Sequence, residues 1–514
     1  MKKELTRPCA ALGLLFAALA ALRGYTLPGG VLSQMFLPVC LLALGALALF
    51  LLHRAGYGRD TLLTMLLPIG LALFLRAFLF SYASLDYQDF LSHWVEHFRQ
   101  NGGFAALKDP VGNYNVPYLY LLALISYLPL PDLYLIKLFS VLFDVLLAWG
   151  GLRLVRGLTK RPKAPLICFS ALLLLPTIVL NGACWGQCDA VWGALCLHAL
   201  ACALEEKPKS SLALLALAFS FKLQAIFIIP LWCALWFTGR VKFRHLFVFP
   251  GTFVLTMAPA LLAGKPVRDI LSVYLDQASS SVGWQTINYN SPSMFTLIPY
   301  RAELGAGAAK TGILLAFLFM LAVLALLFWK RKEADNAALL LAGAALSLGI
   351  PFFLPYMHER YFFLGGVLLV VWACVTGDYS GHLLFFFQNG KAARVELAAY
   401  QTQTRRKKLT GAYSDKSPLA AAYHLKEDLE MALTSSEGRC VIFHTAVLAP
   451  KATRSTQGVN VMTLKPKYHL ETARPLADTA IQDPARYRAR SLPVAGALLK
   501  ETDRGEKQLS LLEE

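Results

Sequence analysis

Charge is what this 514-residue sequence has least of: Asp, Glu, Lys and Arg together make up 16% of it, against roughly a quarter in an ordinary soluble domain. A soluble enzyme of this length is therefore excluded. Mean hydropathy is +0.51, and apolar runs of about 18–25 residues recur as far as residue 376, each long enough for a ~30 Å hydrocarbon core. Metal-ligand spacing is missing as well, and so are internal repeats. The ten cysteines fall mostly inside apolar runs, which argues against a disulfide framework and for small core residues. CWGQC, with Cys184 and Cys188 four apart, reads as packing at a span end.

What is present is apolar surface, 56% of residues, and a net charge of +17. The charge tempts toward nucleic acid until it is mapped. Residues 1–376 hold 29 Lys+Arg against 17 Asp+Glu, and residues 377–514 hold 20 against 15. Most of the excess thus sits between apolar runs, where the positive-inside rule places it.

The basic flank Met1 to Arg7 and the run Cys9 to Leu22 read as a retained anchor rather than a cleaved signal peptide. Runs from Val31 to Leu52 and Thr61 to Phe80 follow, and placing Arg54 and Arg59 in the cytoplasm sets the topology. Residues 81–133 then lie outside, with one apolar stretch of about 13 residues that is too short to cross. Further runs cover 134–155, 164–180, 190–204, 246–263, 311–329, 337–353 and 361–375, with a second outer loop at about 264–308. A 27-residue run interrupted by Lys222 and Gln224 reads as two half-spans. The expected fold is an α-helical polytopic membrane protein of about eleven or twelve segments. A polar, turn-rich β tail follows, with short strand-like runs such as Leu383 to Phe387 and Val441 to Ala446. The boundaries are 1–376, a junction at 377–380, and 381–514.

A charged group at membrane depth is costly and marks function. The candidates are Asp86 and Asp89 in the first outer loop, Asp144 within its span, Asp189 after WGQC, Lys222, and the trio His358, Glu359 and Arg360. On this topology all but Asp144 fall at or near the outer face, forming one outward polar cleft. Asp144 reads instead as the partner of a buried Lys or Arg. The arrangement suits chemistry on a lipid-linked anionic substrate. A carboxylate serves as general base on an acceptor hydroxyl, and Lys and Arg neutralise a phosphate leaving group. Trp94, Trp185 and Trp284 are candidates for stacking on sugar rings, although interfacial tryptophan belts are common for solvation alone.

At these residues the sequence resembles the GT-C glycosyltransferases that use polyprenyl-phosphate sugars, especially bacterial proteins similar to the GPI-anchor mannosyltransferases. The stretches that carry the likeness are LDYQDFLSHW, NGGFAAL, NYNVPYLYLL, KLFSVLFDVLL, WGQCDAVW, FKLQAIFIIPLW and PYMHERYFF, over about 61–376. The resemblance implies inverting transfer of one hexose, mannose-type, from a polyprenyl-phosphate donor to a glycan or lipid acceptor on the extracytoplasmic face of the cell membrane. It maps the family's catalytic aspartate to Asp86, with Asp89 as the second choice. It lines the site with Trp185, Gln187 and Asp189, sets Lys222 and Gln224 near the carrier phosphate, and closes it with His358, Glu359 and Arg360. It leaves Mg²⁺ or Mn²⁺ open as a cofactor. Two spans before the one leading to the first outer loop, and Val116 where a second proline is expected, depart from the pattern.

From about Gly381 the tail resembles the C-terminal DNA-wrapping domain of DNA gyrase A or its topoisomerase IV counterpart, in stretches such as LLFFFQNGKAARVELAAY and RCVIFHTAVLAPKATRSTQGVNVMTLKPKYHLETARPL. The resemblance implies a β-pinwheel fragment on the cytoplasmic side. It would hold DNA phosphates through Arg405, Arg406, Lys407, Lys408, Lys451 and Arg454. The breakage domain and its tyrosine are missing, so the joined halves read as a chimeric reading frame. Two rival readings are a transporter or lipid flippase, and a DNA-binding module if the tail carries the function.

Overall fold

The computed structural model describes residues 2–278, 287–297, 306–376, 381–400 and 411–503. The chain divides into two compact units, Met1–Gly377 and Asp378–Glu514.

The first unit is helical. Its elements are α1 (Lys2–Tyr25), α2 (Gly30–Arg54), α3 (Arg59–Leu79), α4 (Ser92–Gln100), α5 (Val116–Ile125), α6 (Asp132–Leu158), α7 (Ala164–Leu174) and α8 (Pro176–Val179). Then come α9 (Asp189–Leu204), α10 (Pro208–Phe221), α11 (Pro230–Phe237), α12 (Val248–Leu262), α13 (Val267–Ala278), α14 (Ala306–Trp329), α15 (Asn336–Phe353) and α16 (Phe363–Thr376). Among the described residues eight helices are long and apolar enough to cross a membrane. The pair α7 and Pro176–Cys184 passes the same length and hydropathy test only when taken together and is bent by 46°, as a broken span or a re-entrant loop is; Pro176 has no amide to continue the ladder and holds Leu175 extended. Four apolar helices are shorter, at Val116–Ile125, Asp189–Leu204, Pro208–Phe221 and Leu223–Phe237. They correspond to the brief outer stretch, the 190–204 run and the two half-spans expected from the sequence.

The half-spans part where the sequence breaks. Lys222 is extended (φ −154°, ψ 132°), and a 3₁₀ turn, Leu223–Phe227, leads on to α11. Elsewhere small residues permit close crossings, as membrane helices require: a Cβ on Gly70 of α3 would lie 2.1 Å from the Gly13 carbonyl oxygen of α1. α9 is buried along nearly its whole length, and α6 packs against it. The carboxyl ends of α3, α10 and α15 and the amino ends of α6, α9 and α16 are the termini that border the polar residues. Beside them β1 (Asn288–Tyr289) pairs in parallel with β2 (Met357–His358), Tyr289 opposite His358.

Among the described residues the second unit is all β apart from short 3₁₀ turns. Its strands are β3 (His382–Phe387), β4 (Lys391–Glu396), β5 (Leu419–Leu425), β6 (Glu430–Ser435), β7 (Arg439–His444), β8 (Val459–Asn460), β9 (Leu470–Pro475) and β10 (Ala497–Leu498). They form two antiparallel four-stranded sheets, ordered β5-β3-β4-β8 and β10-β7-β6-β9. Leu384, Phe386, Met431, Leu433, Val441 and Phe443 share one buried core between them, and the Tyr423 hydroxyl donates to the Ala473 carbonyl at 2.6 Å.

Candidate active site

Seven residues past the end of α3, Asp86 starts a π-type turn, Tyr87–Leu91, that feeds α4. Such a wide turn is a frequent companion of functional residues. Its carboxylate is about two-fifths exposed and faces two donors. Gln187 Nε2 donates to Oδ2, and Arg360 Nη1 lies 3.3 Å from the same oxygen. Gln187 is presented by the WGQC turn, where Gly186 takes φ +70°, a conformation that L side chains adopt only with strain. Arg360 arrives from the other end of the sequence, in the turn before α16, with Glu359 Oε1 3.9 Å away. Its Nε is buried without a hydrogen-bond partner.

A second group stands at the amino end of α9. Asp189 is fully buried. Its Oδ1 accepts from Lys222 Nζ at 2.6 Å and Trp192 Nε1 at 2.9 Å, and its Oδ2 accepts from Asn181 Nδ2 at 2.8 Å. Each charge also suits its helix, a carboxylate at the start of α9 and a cation just past the end of α10. Tyr114 ties the two groups together. Its hydroxyl donates to Gln187 Oε1 at 3.4 Å, and Lys222 Nζ sits 5.6 Å from its ring centre. The positive charge of Arg360 is within electrostatic reach of Asp189 and Tyr114 as well.

His358 stacks on Tyr289 with ring centres 4.9 Å apart and meets Tyr361 edge-on at 5.3 Å. Burial, with the charges of Arg360 and Lys222 adding to it, pushes its pKa down to about 4, so the imidazole is neutral near pH 7.

Of the residues proposed from sequence, the geometry brings together Asp86, Gln187, Arg360 and Glu359 in one group and Asp189 and Lys222 in the other. Gln224 is buried in the 3₁₀ turn directly after Lys222. Trp185 shares the WGQC turn and is partly exposed, and its carbonyl accepts from Ser84 Oγ at 2.8 Å. Asp89 is exposed on the π-type turn, apart from this network. Trp94 packs on Tyr114, ring centres 5.9 Å apart, while Trp284 lies outside the described residues. Asp144 pairs with Arg76 Nε at 2.9 Å, both buried. In the tail, Arg454 lies over the Tyr400 ring at 6.0 Å, Lys451 is exposed, and Arg405, Arg406, Lys407 and Lys408 fall outside the described residues. Among the described residues no three His, Cys, Asp or Glu side chains converge, so no residue set is assigned to Mg²⁺ or Mn²⁺.

Sequence reasoning passed over Arg76, Lys137, Ser140, Asn181 and Tyr114. The two cations lie within five residues of an end of their helices, where a flanking charge is ordinary. The polar neutral residues carry no charge signal at all. The available clue was that Arg76 and Lys137 lie just inside an apolar run rather than beyond it.

No curated protein matches the chain. Two solved structures align with part of it: the C-terminal domain of DNA topoisomerase IV (22% identity, TM-score 0.19, 20% of this chain and 32% of that one) and the DNA gyrase A C-terminal domain (18% identity, TM-score 0.20, 25% and 47%). The chain therefore spans less than half the length of either. Residues 113–355, which include Tyr114, Gln187, Asp189 and Lys222 and are flanked by Asp86 and Arg360, match the model of glycosyltransferase family 87, and this match indicates a membrane glycosyltransferase.

Proposed function

We propose that this protein is a GT-C-type transferase that moves a mannose-type hexose from a polyprenyl-phosphate donor to a glycan or lipid acceptor, with inversion, at the extracytoplasmic face of the cell membrane. The observation that carries the reading is the meeting of a part-exposed carboxylate, Asp86, with a cation, Arg360, 3.3 Å from one of its oxygens. In the transfer the Asp86 carboxylate takes the proton of the acceptor hydroxyl. The freed oxygen pair attacks the anomeric carbon, and the bond from that carbon to the phosphate oxygen breaks with its electrons on the leaving polyprenyl phosphate. Arg360 supplies the planar fork that meets the phosphate's growing charge. Lys222 already has its charge answered by Asp189, so its part is to hold the floor of the site rather than to carry the phosphate alone.

Sidedness is supported by the distribution of cations. Arg54, Arg59, Arg156, Lys163, Arg240 and Lys330 all stand at helix ends opposite those that border Asp86, a pattern that supports an outward-facing Asp86 under the positive-inside rule. The same rule supports a cytoplasmic tail, since α16 runs away from Arg360 toward the side of these cations.

The test is transfer of radiolabelled mannose from polyprenyl-phosphate mannose in membranes that express the chain. Asp86→Asn is expected to lower turnover by about 10²–10⁴-fold. Unchanged turnover in that variant would refute the base assignment, and movement of the lipid without transfer would favour a flippase.

A further inference from the structure

The two segments that meet at the contact between Asp86 and Gln187 are each held from α6 at one point. Lys137 is fully buried in that helix, and an ammonium group has three N–H donors. All three are used: Nζ donates to the carbonyls of Leu79 at 2.9 Å, Phe80 at 3.1 Å and Tyr82 at 2.6 Å. The three carbonyls lie at and just past the carboxyl end of α3, where Leu79 also accepts from the Tyr82 amide at 3.2 Å, and a cation there meets the negative end of the helix dipole. A buried charge answered only by carbonyls is a costly way to pack two helices, since an apolar side chain of like volume is often the more stable choice. What the lysine adds is a fixed path for the chain over 79–82.

Ser84 continues that path, donating Oγ to the Trp185 carbonyl at 2.8 Å and accepting from the Tyr87 amide at 3.3 Å. Two residues after Ser84 comes Asp86. On α6, one turn after Lys137 and on the same face, Ser140 donates Oγ to the Gln187 carbonyl at 2.8 Å. The Gln187 side chain in turn donates to Asp86. The circuit is closed: α6 fixes the backbone on both sides of the contact between Asp86 and Gln187.

We propose that Lys137 and Ser140 are positioning residues, a two-point mount on α6 that sets the carboxylate of Asp86 against Gln187 and the substrate. The inference rests on the reading of Asp86 as the base. Neither residue touches the reacting atoms, so their loss acts on the placement of the base and leaves donor affinity nearly intact.

The experiment uses the full chain in lipid nanodiscs, with polyprenyl-phosphate [¹⁴C]mannose as donor and native membrane extract as acceptor source. Lys137→Met keeps the aliphatic stem and removes the donors; Ser140→Ala removes one bond and guards against misfolding of the first variant. Lys137→Met is expected to lower kcat by about 10–100-fold, the range that a displacement of about 1 Å costs a positioned group, with donor KM changed by less than about threefold. Ser140→Ala is expected to lower kcat by about 3–10-fold. In an Asp86→Asn background either change is expected to move the residual rate less than about twofold, because residues that act as a unit are not additive. Backbone amide exchange over residues 81–88 is expected to quicken in Lys137→Met while that of α15 does not. Wild-type kcat in both variants, with Asp86→Asn inactive, would overturn the mount and leave the base standing. Full transfer by Asp86→Asn would overturn the base instead, and unchanged exchange over 81–88 would overturn the mount on its own.

Discussion

Single charges decide most of what distinguishes this bundle from a plain apolar one. Arg76 and Asp144 are buried to within 1% and share one oxygen at 2.9 Å, and Arg76 also donates to the carbonyls of Ala72 and Leu173. Removing one partner strands the other without water. Asp144→Leu alone is expected to cost about 3–5 kcal/mol, and the double change Asp144→Leu with Arg76→Leu clearly less, as read by thermal unfolding in detergent. Asp144 was legible from sequence as half of such a pair because a carboxylate deep in an apolar run is too costly to keep unless a cation answers it. Its partner was not, since Arg76 lies near the end of α3. His358 makes a pH prediction. Its pKa falls from an ordinary value near 6.5 to about 4 in the folded chain, so between those values the unfolded state binds the proton and the folded state does not. Stability from this residue is complete above about pH 6.5 and is lost as pH falls toward 4. His358→Gln should lose about 1–2 kcal/mol less than the unaltered chain between pH 7.5 and pH 5, measured as the difference in unfolding midpoints.

At the scale of elements, the apolar runs were readable because length and hydropathy are local properties, and so was the break at Lys222. What the sequence hid was where broken helices aim. The extended Lys222 turns its ammonium onto Asp189, 33 residues earlier, and the WGQC turn faces α6 through Ser140. Both depend on long-range packing that no local pattern records. The crossing of α1 and α3 is a further example, since Gly13 and Gly70 carry no signal of their own and yet meet backbone to backbone. Gly70→Val is expected to push α1 away from α3, because the added atoms would overlap the Gly13 carbonyl. Cysteines introduced on the facing sides of α1 and α3 should then cross-link at least several-fold less than in the parent, while a pair between α9 and α10 should be unaffected.

For the molecule as a whole, two compositions are joined in one chain, and each unit has its own core. The helical unit contains all the residues assigned to transfer, so a chain ending at residue 380 is expected to keep full transfer activity in membranes. If the tail acts on its own account, the full-length protein should retain duplex DNA at low salt and release it steeply as salt rises, and the shortened chain should not. Failure of the shortened chain to transfer sugar would mean that the β unit takes part in the reaction.

The mount on α6 also fixes a depth. Lys137 lies five residues below the first residue of its helix, a drop of about 7.5 Å at 1.5 Å per residue, and Gly186 of the WGQC turn approaches the Lys137 side chain at that level. The headgroup layer on each side of a bilayer is about 5–8 Å thick. On the proposed reading of a polyprenyl-phosphate donor, a sugar-phosphate held among the lipid headgroups would meet the reaction floor edge-on, without its hydrocarbon tail leaving the membrane. On that proposed reading the acceptor is the partner that must descend.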